Sequence, residues 1–246
     1  LIGASVAISA VWGGLTDVGQ IRLASCLLPG LVSWWPGDDN ANDVQDGNYG
    51  TLQGGATFAP GMVKQAFLLD GIDDFVNVGN APNLRVSAGD FTVDAWVRFN
   101  ALSGDMSIVD KMSPIGVNSN GWRLIKQGDG RFWFCLGGGG ANGCVSGVPL
   151  TVRSTTAATV GVWFHIAAVK SSSAISIYVN GRLEDTKALG FFTDTHSTDL
   201  LIGSSNPQYS ARLNGLVDEV EIYNRALSQA EIQAIFDAGS GEKCQP

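Results

Sequence analysis

The chain has 246 residues, 45% of them hydrophobic and only 15% charged, with 32 glycines, about twice the usual share of roughly 7%. That is enough apolar material for a real core, which excludes wholesale disorder, and the length suits one large β domain or two small ones. Fifteen basic against 23 acidic residues give a net charge of -8, which excludes nucleic acid and anionic membrane surfaces as expected partners, and no apolar run approaches the roughly 18 residues of a membrane span.

Residues 1–25 alternate apolar and small side chains at their start and read as a linker or the tail of a preceding domain. Together with Leu1 in place of a Met, they point to a piece of a longer parent chain carrying further domains. The tetrapeptide Leu23-Ala24-Ser25-Cys26 has the form of a lipoprotein processing box, but Asp17, Gln20 and Arg22 interrupt the apolar stretch before it. From residue 26 to 246 a single domain is expected.

Within that domain nearly every signal is β. Leu31–Trp35 is a first strand stopped by Pro36-Gly37, and 66–69 and 75–78 are short strands around Asp70-Gly71. Phe91–Phe99 alternates clearly. The segments 122–126 and 131–135 flank Gly128-Asp129-Gly130 as a hairpin. Trp163–Lys170 follows, and 175–179 with Arg182–Ala188 forms a second hairpin around Asn180-Gly181, a pair suited to a turn with two positive φ angles. The segments 200–203 and 213–223 complete the strands. Ser228 and Glu231 form a capping box for a helix over Gln229–Ala238, with Leu227 and Ile232 as a hydrophobic staple. Many strands, short turns and no βαβ alternation predict an all-β antiparallel sandwich with one short C-terminal helix.

The run LVSWWPGD at 31–38, GMVKQAFLLDGIDDFVNV at 61–78, FTVDAWV at 91–97, WFH at 163–165, YVNG at 178–181 and LVDEVEIYNRALSQAEI at 216–232 together resemble a laminin G-like jelly roll of the concanavalin A-like lectin/glucanase superfamily. The resemblance spans residues 26–246. It implies a jelly-roll sandwich, bound calcium, and a secreted or cell-surface setting among other modules.

Four cysteines, Cys26, Cys135, Cys144 and Cys244, fit no metal or redox spacing. Three disulfide pairings are possible; a glycine-rich turn between 135 and 144, and the nearness of domain ends, favour 135–144 with 26–244. Four buried thiols are the alternative. Disulfides would place the chain in an oxidising, extracytoplasmic compartment.

Asp38, Asp39, Asn40, Asn42, Asp43 and Asp46 crowd one loop, and Ca²⁺ seeks six to eight such oxygens. A site drawing on Asp38, Asp43, Asp70 and Asp218 is expected, with Asx-turn capping as the competing use of the same residues. On β alternation Phe132 and Phe134 face inward, so Arg131 and Trp133, with Arg123 and Tyr209, are expected to form a stacking and hydrogen-bonding surface. Burial of Trp133 beneath loops is the alternative.

Glu219 and Glu221 share one face of a regular strand, with Asp218, Val220 and Ile222 on the other, but no further acid follows, so the carboxylate set of a glycosidase is incomplete. His165 lies inside a strand without a visible nucleophile and reads as structural. The expected function is a non-catalytic module that binds a glycan or an extracellular protein. A ligand-free spacer and a glycoside hydrolase are the alternatives.

Overall fold

The computed structural model describes residues 28–85, 89–113, 120–138, 150–189, 198–205 and 211–241. They form strands β1 (Leu31–Trp35), β2 (Thr51–Gln53), β3 (Thr57–Pro60), β4 (Gln65–Asp70), β5 (Phe75–Gly79), β6 (Phe91–Phe99), β7 (Met106–Met112) and β8 (Asn120–Lys126). Strands β9 (Arg131–Gly138), β10 (Thr151–Ala157), β11 (Trp163–Lys170), β12 (Ala174–Val179), β13 (Arg182–Ala188), β14 (Leu200–Ile202) and β15 (Asn214–Tyr223) follow, then helix α1 (Gln229–Ala238). The segments 1–25 and three of the four cysteines lie outside the described residues.

Two antiparallel sheets result. One runs β13-β12-β11-β6-β15-β4-β3 with β1 also on β15, and the other runs β10-β9-β8-β7-β14-β5-β2. Inward-facing residues of both make one core: Phe91 packs 5.5 Å from Trp122 and 6.0 Å from Phe134, and Phe132 lies 5.3 Å from Phe164. Each fully buried large apolar side chain of this kind contributes about 1.5–3 kcal/mol. The expected sandwich and its inward set, Phe132 and Phe134 included, are therefore present.

Helix α1 covers the outer face of the β1-containing sheet. Ser228 and Glu231 exchange the two capping-box hydrogen bonds, and Arg225 holds Glu231 through both carboxylate oxygens at 3.0 and 2.8 Å. Leu227, Ile232 and Ile235 join Leu31, Trp34 and Tyr223 in a second apolar cluster, and Phe236 stacks on Trp96 at 5.6 Å. The hairpin between β12 and β13 turns through Asn180 (φ 49°) and Gly181 (φ 77°), the left-handed pair the dipeptide predicts.

Strand β15 departs from regular alternation. Its register on β6 slips between Asp218 and Glu221, where Glu219 adopts φ 51°. This β-bulge puts Asp218 on the outer side, while Val217, Val220 and Ile222 stay in the core. The regular-strand expectation that Asp218 shares a face with Val220 and Ile222 is thereby corrected. The bulge also marks a change of neighbour: β4 pairs with Asn214–Val217, and β1 pairs with Val220–Tyr223.

Candidate functional site

Strands β10 and β13 are the edges of the two sheets, and they lie side by side. Side chains of β13 join them. Lys187 Nζ donates to the Thr151 carbonyl at 2.5 Å, and the Arg153 N–H donates to Asp185 Oδ2 at 2.9 Å. Thr155 and Thr156 both donate their N–H groups to Glu184 Oε2 at 2.8 Å, and the Thr156 hydroxyl donates to Glu184 Oε1 at 2.5 Å.

The geometry of β10 explains this seam. Its register on β9 slips between Arg153 and Ala157, and the Ser154 hydroxyl accepts the Phe132 N–H at 2.9 Å while donating to the Thr156 carbonyl. The slip leaves the N–H groups of both Thr155 and Thr156 to bond Glu184 rather than β9. An edge strand with free N–H groups is a template for unwanted pairing, and here carboxylates occupy it.

Over the seam lies a groove of about 540 Å³, lined by Arg131, Trp133, Arg153, Glu184, Asp185 and Lys187 among others. The Trp133 indole N–H donates to Asp129 at 3.3 Å, and the Arg153 guanidinium sits 5.6 Å from the Trp133 ring centroid. Arg131 donates to the Ser154 and Thr155 carbonyls. The Arg153 side chain is 48% exposed, whereas Trp133 is 4% exposed and offers only its edge. Planar donors, carboxylate acceptors and an aromatic edge thus converge on one solvent-facing hollow.

Of the four residues expected on this surface, Arg131 and Trp133 line the groove. Arg123 does not. It is 2% exposed, on the covered outer face beside Ile125 and Cys135, and its Nε bonds Asp110 at 2.5 Å. Burial pushes the Asp110 carboxyl up from the ordinary carboxylate range, and Arg123 opposes that shift. Tyr209 lies outside the described residues. Sequence reasoning missed Arg153, Asp185 and Lys187. Residues 151–157 (TVRSTTA) alternate in burial, but Val152 is the one core hydrophobe among them, so no apolar face flags a strand.

The expected calcium ligands have separate occupations. Asp43 is 3% exposed and its two oxygens accept the N–H groups of Trp34, Gln45, Asp46 and Asn48. Asp38 accepts the Gln65 N–H at 3.1 Å and faces Lys64 at 3.6 Å. Asp218 Oδ2 accepts the Met62 and Val63 N–H groups at 2.7 and 2.9 Å, while Oδ1 is buried without a partner. Asp38 and Asp218 thus bind the two ends of one turn, and Asp38, Asp43, Asp70 and Asp218 are not gathered at one point. Among the described residues, the acidic group whose oxygens converge is Asp70, Asp73 and Asp74.

Burial raises the Asp218 pKa to about 8, opposed by the Val63 N–H and reinforced by the Glu219 charge. Neighbouring acids are equally enclosed. Glu219 accepts the Trp34 indole N–H at 3.1 Å, Glu221 accepts the Tyr223 hydroxyl at 2.8 Å, and Asp94 lies 3.1 Å from His165 Nε2. All are at most 1% exposed, so none presents an oxygen to a bond in solvent. His165, beside the stacked pair Trp96 and Phe236, has the structural surroundings its position predicted.

Cys135 is buried and disulfide-bonded; Cys26, Cys144 and Cys244 lie outside the described residues, so the expected pairing is not seen directly. Among the described residues no helix is long and apolar enough to cross a membrane.

A family model described as the Concanavalin A-like lectin/glucanases superfamily matches residues 70–233. The chain is 26% identical over 186 residues to a botulinum-like toxin, eBoNT/J, of an Enterococcus species, covering 72% of this chain but only 14% of the toxin. Among solved structures it resembles the binding domain of Paraclostridial Mosquitocidal Protein 1, with TM-score 0.66, 18% identity, and 85% of this chain over 52% of that one. It also resembles Domain 4 of AbnA, a GH43 extracellular arabinanase from Geobacillus stearothermophilus solved with arabinotriose, with TM-score 0.67 and 19% identity, covering 83% and 97% of the two chains.

Proposed function

Since this chain belongs to the concanavalin A-like lectin/glucanase superfamily, we propose that it is a non-catalytic carbohydrate-binding module whose site is the groove over the β10–β13 seam. The single observation that carries this reading is the convergence there of the Trp133 edge, the Arg131 and Arg153 guanidinium groups and the Asp185 and Lys187 side chains. A sugar presents hydroxyls that both donate and accept, so mixed donors and acceptors beside an aromatic edge suit it. The three cations and two acids nearly cancel, which favours an uncharged glycan over a phosphate- or sulfate-bearing one.

Support comes from structural neighbours, one the binding domain of a mosquitocidal protein and the other an arabinanase domain solved with arabinotriose. An extracellular or cell-surface setting, within a longer chain, belongs to the same proposal. The Cys135 disulfide and the extracellular arabinanase relative support it, because disulfides persist in oxidising compartments.

Calcium is a separate proposal, confined to the Asp70–Asp74 turn. There Asp70 Oδ1 accepts the Ile72 and Asp73 N–H groups and Asp74 is committed to the Gly55 and Asp70 N–H groups, whereas the Asp73 carboxylate accepts no hydrogen bond among the described residues. The carbohydrate reading does not depend on it.

The direct test is a glycan array with the intact chain and Arg153→Ala. Binding that the substitution abolishes supports the groove. Binding by both proteins alike places the site elsewhere, and no binding across the array favours a spacer or protein-binding role.

A further inference from the structure

The groove does not end at Glu184. A second hollow of about 410 Å³ adjoins it, sharing Thr155 and Glu184 as lining and adding Asn180, Arg182 and Leu183. We infer that the two hollows form one trough for an extended oligosaccharide, with Arg182 and Leu183 building a second subsite beyond the Trp133–Arg153 end.

Several observations converge on this. The seam is linear: β10 and β13 run antiparallel along it, Thr151 opposite Lys187, Arg153 opposite Asp185, and Thr155 opposite Glu184. Lys187 lines one hollow and Arg182 the other. Five strand steps separate them, about 17 Å at roughly 3.3 Å per residue. That length holds several consecutive sugar rings, whereas a single terminal sugar would occupy one hollow only.

The two added residues have no evident work in the fold. Arg182 is exposed at the start of β13, and among the described residues its guanidinium makes no hydrogen bond or ion pair. Leu183 is 42% exposed and stands opposite Tyr178, on the α1 side of the sheet, whereas Arg182 stands opposite Val179, on the side of the main core. Their strand begins at the Asn180-Gly181 turn, where the end of the Gln233 side chain of α1 lies over Gly181.

This inference rests on the carbohydrate reading, and its test separates the two. Linear arabino-, xylo- and cello-oligosaccharides of two and five units are titrated calorimetrically into the intact chain and into Arg182→Ala/Leu183→Ala. The trough predicts that in at least one series the pentamer binds roughly tenfold tighter than the dimer, the scale of one charge-assisted hydrogen bond. The double variant should lose that gain and keep the dimer affinity unchanged. Equal affinity for both lengths, or a length gain that survives the double variant, overturns the second subsite while leaving the first standing. Absence of binding by every oligosaccharide removes the carbohydrate reading and the trough with it.

Discussion

Glu184 and Thr156 tie the two sheets together at a place where their backbones do not pair: one carboxylate takes the Thr156 N–H on one oxygen and the Thr156 hydroxyl on the other, with the Thr155 N–H sharing the first. Glu184→Ala removes the acceptor and bares two edge N–H groups. Since a hydrogen bond to a charged group contributes about 1.5–3 kcal/mol, reduced here by partial exposure, a loss of about 2 kcal/mol is expected in urea unfolding. Light scattering should also rise, because the β10 edge becomes available for pairing.

Asp218 makes stability fall as the medium becomes alkaline. Its pKa is about 8 in the folded chain against 3.8 for the free side chain, so the native state holds a proton that the unfolded state releases. The contribution is complete below about pH 4 and is lost as pH rises through about 8. Asp218→Asn keeps an oxygen for the Met62 and Val63 N–H groups but cannot ionise. The difference in urea midpoint between variant and parent should therefore shift in favour of the variant from pH 4.5 to pH 8.5. A constant difference would contradict the assignment.

Glu231 works in the opposite direction. Arg225, together with Ser228, holds its carboxyl down to about 2 from 4.5. Its stabilisation is present above pH 4.5 and disappears as pH falls through about 2, so α1 should be the acid-sensitive element. Ser228→Ala removes the N-cap at a cost of about 1 kcal/mol, read in the same unfolding assay.

The enclosed acids predict an absence of hydrolysis. Glu219 and Glu221 are each 1% exposed, so incubation of the chain with β-glucan or arabinan should release no reducing sugar. Release that Glu219→Gln abolishes would mean that this carboxylate reaches a substrate after all.

The calcium proposal has its own readout. Millimolar calcium should raise the melting midpoint of the parent chain through ligand binding to the folded state, and Asp73→Asn should remove the rise. An unchanged parent midpoint eliminates the ion.

Where apolar alternation was strong, the sequence announced the architecture: β6, β9, β11 and the capped α1 lie where their patterns place them. Strand β7 went unread because Ser107, Asp110 and Lys111 interrupt it, yet all seven of its residues are buried. Their polar groups are paired inside, Lys111 Nζ with Asn80 and the Thr198 carbonyl, and Asp110 with Arg123. Arg123 misled for the same reason, since a sequence does not reveal that a charge has a buried partner. Trp133 and Arg131 were legible because β9 alternates. Their companions across the groove were not, because β10 and β13 meet only through tertiary packing, and no local pattern records which two edges become neighbours.

The single misfit residue in β15 has an effect on assembly. Glu219 lets one long ribbon accept β4 along its first half and β1 along its second, so the backbone ladder of β1 runs only from Leu31 to Trp35 and its buried side chains supply the rest of its hold. Were that opening segment withdrawn, Val220–Tyr223 would present a ready berth of bare N–H and C=O groups. The bulge thus decides where the ribbon changes partner, and β1 keeps that stretch from standing as an open edge.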